Sequence, residues 1–129
     1  DDPLAASRTP IELEALKDRE CLTLGHGHKF ATVVKTLAAR AGATTSDEYE
    51  GTSLDAIRQM ASMGGSVAVL PSLYAISEAK RDPQLIVRAI NHPLAQREIA
   101  LIWRYSSPLG AKFEKIGSVF SSVAKQIME

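Results

Sequence analysis

Residues 22–34, "LTLGHGHKFATVV", set Gly25, His26, Gly27, His28 and Lys29 between an apolar run and the start of a helical pattern. The two imidazoles change charge near neutral pH. The glycines let a ligand approach the backbone closely. Free N–H groups at the start of the following helix attract anions. A second polar pair, Thr52 and Ser53, stands before another helical pattern, where hydroxyls serve as helix caps or as ligand contacts. These seven residues are the candidate binding set, for a small anionic molecule. Plain turn and cap chemistry accounts for the same residues, so both readings stand at this point.

Other chemistries find less support. Cys21, His26 and His28 offer three zinc ligands and no fourth at a suitable spacing, so no metal is expected. Cys21 opens an apolar run and reads as buried and inert; a thiol sensor built on it is the alternative. No nucleophile, base and carboxylate form a recognisable set, so no catalytic residue and no cofactor are assigned and an enzyme is not expected. Fifteen basic and fifteen acidic residues cancel, which argues against a nucleic-acid binder acting alone. The single cysteine excludes an internal disulfide and suits a reducing cytoplasm. No apolar run is long enough to cross a membrane, and the opening residues do not read as a signal peptide. A start at Asp1-Asp2-Pro3, without methionine, reads as part of something longer.

The elements that must position the site follow from periodicity. Thr9, Pro10 and Glu12 predict a short helix ending near Lys17. "CLTL" predicts a buried strand. A helix follows with Phe30, Val33, Val34, Leu37, Ala38 and Ala41 on one face and Gly42 as its stop. "DEYEG" predicts a second strand, and "TSLDAIRQMASMGG" a second helix capped at Thr52 or Ser53, with Leu54, Ile57, Met60 and Ala61 inward and Gly64 and Gly65 at its end. "VAVLP" predicts a third strand and "SLYAISEA" a short helix or turn. "QLIVRAI" and "EIALIWR" predict further strands. Ser107 and Pro108 start a last helix striped with Leu109, Phe113, Ile116, Phe120, Val123 and Ile127. Trp103 and Met60 read as core, His92 as an exposed turn residue, and Gly117 as a close approach to another backbone. The alternation predicts an α/β fold with a mixed, mostly parallel sheet, whose ligands bind beyond the carboxyl ends of the strands.

Three stretches, "DDPLA", "TSLDAIRQMASMGGSVAVLPS" and "REIALIWRYSSPLGAKFEKI", together resemble the effector-binding region of LysR-type transcriptional regulators. The resemblance implies a periplasmic-binding-protein-like (type 2) fold, with an effector cleft between two lobes. It places residues 1–95 in the second lobe. It makes residues 96–129 the return strand and C-terminal helix of the first, whose remainder it places outside the chain. It also implies DNA binding through an absent N-terminal helix-turn-helix domain, a homodimer or higher homo-oligomer, and no membrane. Within the family, "LTLGHGHKFATVVKT" looks most like the peroxide-sensing OxyR branch. Gly25 and His26 match that branch, but Gly27 and Thr36 stand where it carries its two cysteines, so the resemblance counts against peroxide sensing. A stand-alone solute-binding protein is the rival from another class.

Overall fold

A computed structural model describes residues 2–46 and 53–129. The predicted "DEYEG" strand, with Gly51 and Thr52, lies outside them. Three short strands, β1 (Glu20–Leu22), β2 (Thr44–Thr45) and β3 (Val67–Ala68), form a parallel sheet in the order β2-β1-β3. Cys21 is paired with Thr45 on one side and Val67 on the other. Each strand is followed by a helix: α1 (Lys29–Ala41), α2 (Leu54–Ser62) and α3 (Ser72–Arg81). A long last helix, α4 (Gly110–Met128), rests against α3. The α/β class and the parallel pairing are as the alternation predicts. The described sheet is wholly parallel where a mixed one was expected.

Local chemistry explains most boundaries. On α1, Ala31, Val34, Leu37, Ala38 and Ala41 are buried, a stripe at helical spacing. Gly42 ends the helix in the left-handed region at φ 71°, and Ala43 donates its N–H to the Ala38 carbonyl. The main core lies between α1, β1 and a 3-10 turn at Leu13–Leu16, where Leu13, Leu16 and Cys21 pack with Leu37, Ala38 and Ala41. The predicted helix from Pro10 is this shorter turn. Ile11 is engaged elsewhere: it forms a parallel bridge to Ile90, with its N–H on the Ala89 carbonyl, which keeps the chain extended up to Glu12.

The two late strands are corrected. "QLIVRAI" contributes only that bridge at Ile90, and "EIALIWR" runs unpaired among the described residues. A strand exists only where a neighbour accepts its ladder, and Ile99 and Ile102 are exposed, with no sheet beside them. The stripe of α4 is helical as predicted, yet none of its residues is buried. Trp103 is 36% exposed and stacks tilted on Phe113 with ring centroids 5.8 Å apart, so it is no core residue; Met60 is half-buried. A Cβ on Gly117 would meet the Leu101 side chain at 3.8 Å, an ordinary contact and not a close backbone approach. His92 is half-buried, and its Nδ1 accepts the Leu94 N–H at 3.2 Å to cap a 3-10 turn.

Candidate functional site

Because the three strands are parallel, their carboxyl ends share one rim, and the three helices that follow them all begin there. The sheet closes at this rim through two bonds: Ser46 N–H to the Cys21 carbonyl at 3.3 Å and Val69 N–H to the Leu22 carbonyl at 3.2 Å. Helix starts differ in how they are satisfied. Ser53 Oγ accepts the Ala56 N–H at 3.2 Å, and Asp55 lies in the same first turn, so α2 is capped and its dipole is matched. α1 starts at His28 and α3 at Pro71, neither with a side-chain cap nor with an acidic residue in the first turn. Their outermost N–H groups lack intrahelical acceptors and face the rim with partial positive charge.

The sequence candidates take these positions. Gly25 is half-buried at the entry to the turn, while His26, Gly27, His28 and Lys29 are exposed. Gly27 has φ 90°, a conformation that needs glycine, and open space where a Cβ would stand. His28 is the N-cap residue of α1 through its backbone. His26 Nδ1 lies 3.4 Å from Lys35 Nζ, which ties the turn to the outward face of α1. Ser53 sits at the head of α2, its hydroxyl engaged as the cap. Residues 25–29 and Ser53 therefore stand at the same rim, and Thr52 is outside the described residues.

Several features escaped the sequence reading. Thr23, the residue after β1, is 7% exposed, and its Oγ1 has no hydrogen-bond partner among the described residues. Its signal was a single polar residue inside the apolar run "CLTL". An open hollow of about 530 Å³ runs along α1, lined by Thr32, Lys35, Thr36, Ala39 and Arg40. A polar cluster fixes α2 to α3: the Tyr74 hydroxyl donates to Asp55, and the Arg58 guanidinium lies 3.8 Å from both Asp55 and Glu78. Burial, reinforced by Asp55, pushes the Tyr74 hydroxyl pKa up. Cys21 is fully enclosed, and burial raises its thiol pKa against the opposing pull of Arg19. No three His, Cys, Asp or Glu side chains come together as metal ligands among the described residues.

With a parallel sheet and three helix starts on one rim, the class is that of an α/β ligand-binding domain. The sequence matches the LysR substrate binding domain family over residues 1–121, and the chain belongs to that family. A hydrogen peroxide-inducible genes activator of Haemophilus influenzae is 27% identical over 124 residues, covering 96% of this chain and 41% of that protein. The DNA-binding transcriptional dual regulator OxyR of Escherichia coli is 30% identical over 111 residues, covering 86% of this chain and 36% of that protein. A hydrogen peroxide-inducible genes activator of Pectobacterium carotovorum is 27% identical over 124 residues. The chain thus spans about two fifths of the length of these relatives. No solved structure matches it.

Proposed function

We propose that this chain is the ligand-sensing regulatory domain of a LysR-type transcription factor. A small anionic effector binds at the rim formed by Gly25, His26, Gly27, His28, Lys29, Thr52 and Ser53. The observation that carries this reading is the convergence of three helix starts on one rim, two of them uncapped by side chains, beside the open turn at Gly27. The site binds and does not react. The effector changes how DNA-binding domains attached elsewhere in the protein engage a promoter, which requires a different affinity for two conformations.

In this reading residues 1–95 form one lobe, and residues 96–129 belong to a second lobe on the far side of the effector cleft. The exposed Ile99, Ile102, Val119 and Phe120 support the division, because an apolar surface of that extent is normally covered. The protein works in the cytoplasm as a homodimer or higher homo-oligomer; no helix among the described residues is long and apolar enough to cross a membrane. Peroxide sensing is not part of the proposal. It needs an accessible thiolate, whereas Cys21 is buried and positions 27 and 36 are glycine and threonine.

The test is a double substitution, His26→Ala with His28→Ala, in the intact protein. Promoter binding is followed while small carboxylates and phosphates are titrated in. The expected result is a fold preserved by circular dichroism with a weakened effector response. An unchanged response removes both histidines from the site.

A further inference from the structure

Residues 21–46 contain no Asp or Glu, although the chain has fifteen acidic side chains, and they carry Lys29, Lys35 and Arg40. Of the four α-helices, α1 is the one without a carboxylate. Cations on the other elements are answered locally. Arg58 lies 3.8 Å from Asp55 and from Glu78, Arg81 lies 3.2 Å from Glu78, and Arg19 pairs with Asp2. Among the described residues no carboxylate comes within ion-pair distance of Lys35 or Arg40. Lys35 Nζ reaches the His26 ring at 3.4 Å, and an imidazole brings no negative charge. These two cations border the hollow of about 530 Å³ on α1, with Thr32, Thr36 and Ala39 between them. Five residues turn a helix through about 500°, so Lys35 and Arg40 stand about 140° apart around the axis and flank the shorter side chains. The face lies opposite Ala31, Val34, Leu37, Ala38 and Ala41, which are buried in the core.

We propose that the outward face of α1 is a docking surface for an acidic helical segment of another protein. The inference is independent of the effector reading above. The hollow spans about two helical turns, roughly 12 Å. A partner helix laid along it sets small side chains over Thr32, Thr36 and Ala39 and carboxylates beside Lys35 and Arg40. Charge selects this occupant. A second copy apposed through the same face would set cation against cation. Nucleic acid is the other polyanion, but two cations on a two-turn face neutralise few phosphates, and the chain has no net charge to support them. The surface is small, so the contact is weak, rapidly exchanging and weakened by salt.

The experiment titrates the intact protein, by fluorescence anisotropy, against a labelled alanine-based helical peptide of about sixteen residues. Its glutamates flank one alanine ridge. A scrambled peptide of the same composition spreads the glutamates around the helix. The ridge peptide is expected to bind at least about fivefold more tightly than the scrambled one, and less tightly as salt is raised. Lys35→Glu with Arg40→Glu should weaken the ridge peptide about tenfold. The same variant should bind more tightly a ridge peptide with lysine in place of glutamate, a rescue that a damaged fold would not give. If the double variant fails to fold, Arg40→Glu alone, at the end of α1 away from residues 25–29, carries the comparison. Affinity for a non-promoter DNA duplex should not change with the substitutions. No binding of the ridge peptide, equal binding of the scrambled one, or unchanged affinity in the variant overturns the proposal. A duplex that loses as much affinity as the peptide does shows a general polyanion surface and overturns it too.

Discussion

Ile57→Ala and Phe120→Ala should separate two apolar stripes that look alike in the sequence. Ile57 has no solvent exposure and is the sole fully buried residue of α2, so it carries the docking of that helix. Truncation to alanine removes its buried methylenes and leaves a cavity, a loss of about 3 kcal/mol. For a chain of 129 residues this lowers the melting temperature by roughly 10 °C. Phe120 is 63% exposed on α4. Its truncation forfeits only the covered part of the ring, and alanine is the better helix former by about 0.5 kcal/mol, so the net change stays within about 1 kcal/mol. Urea unfolding followed by circular dichroism measures both, with equal slopes as the check that the transitions are comparable. A loss below about 1 kcal/mol for Ile57→Ala would refute the packing of α2 described here. A loss above about 2 kcal/mol for Phe120→Ala would mean that the α4 stripe is covered in solution. Repeating the melt across a dilution series would then show whether a second copy covers it.

Cys21 should resist a water-soluble disulfide reagent in the native state and react once the chain is unfolded, because burial both blocks access and disfavours the thiolate; fast native labelling at neutral pH would revive a thiol sensor. Tyr74 supplies a pH dependence with a definite sign. Its pKa is raised in the folded protein, first by burial and then by Asp55, so its contribution is fully present below the unfolded value, about 10, and is lost as pH rises through the folded one. The wild type should lose melting temperature more steeply above that pH than Tyr74→Phe does, and parallel curves would show that the hydroxyl adds nothing to the α2–α3 contact.

The legible parts of the fold are those where local chemistry and tertiary packing agree. "KFATVVKTLAARAG" has an apolar stripe, good helix formers and a glycine stop, and α1 ends at Ala41 with Gly42 in the left-handed region. Ser53 caps α2 as its position before "LDAI" implies. The illegible parts depend on partners that a sequence does not display. "EIALIWR" has strand composition, but ladder bonds belong to a pair of segments, and no second segment stands beside it among the described residues. Pro10 and Glu12 are sound helix-start chemistry, yet Ile11 is held extended by Ile90, seventy-nine positions away. In the candidate site, glycine, histidine and cap residues announce themselves by type. Thr23 does not, because its interest lies in being buried without a bond, a property of the fold alone.

The electrical layout of the rim narrows where an anion should sit. The chain as a whole carries no net charge, yet α1 holds Lys29, Lys35 and Arg40 and no acidic residue along its length. Net charge governs long-range behaviour, while a local field is set by nearby charges and by oriented backbone dipoles. At α2 those dipoles are already answered by the Ser53 hydroxyl and the Asp55 carboxylate, and Asp55 would repel a second anion brought to the same turn. At α1 nothing of the kind intervenes, and Lys29 stands in its first turn, while Arg40 lies at the far end in the last. On the proposed reading an anion is therefore better received at the α1 side of the rim, beside residues 25–29, than at α2, where Ser53 already acts as the helix cap.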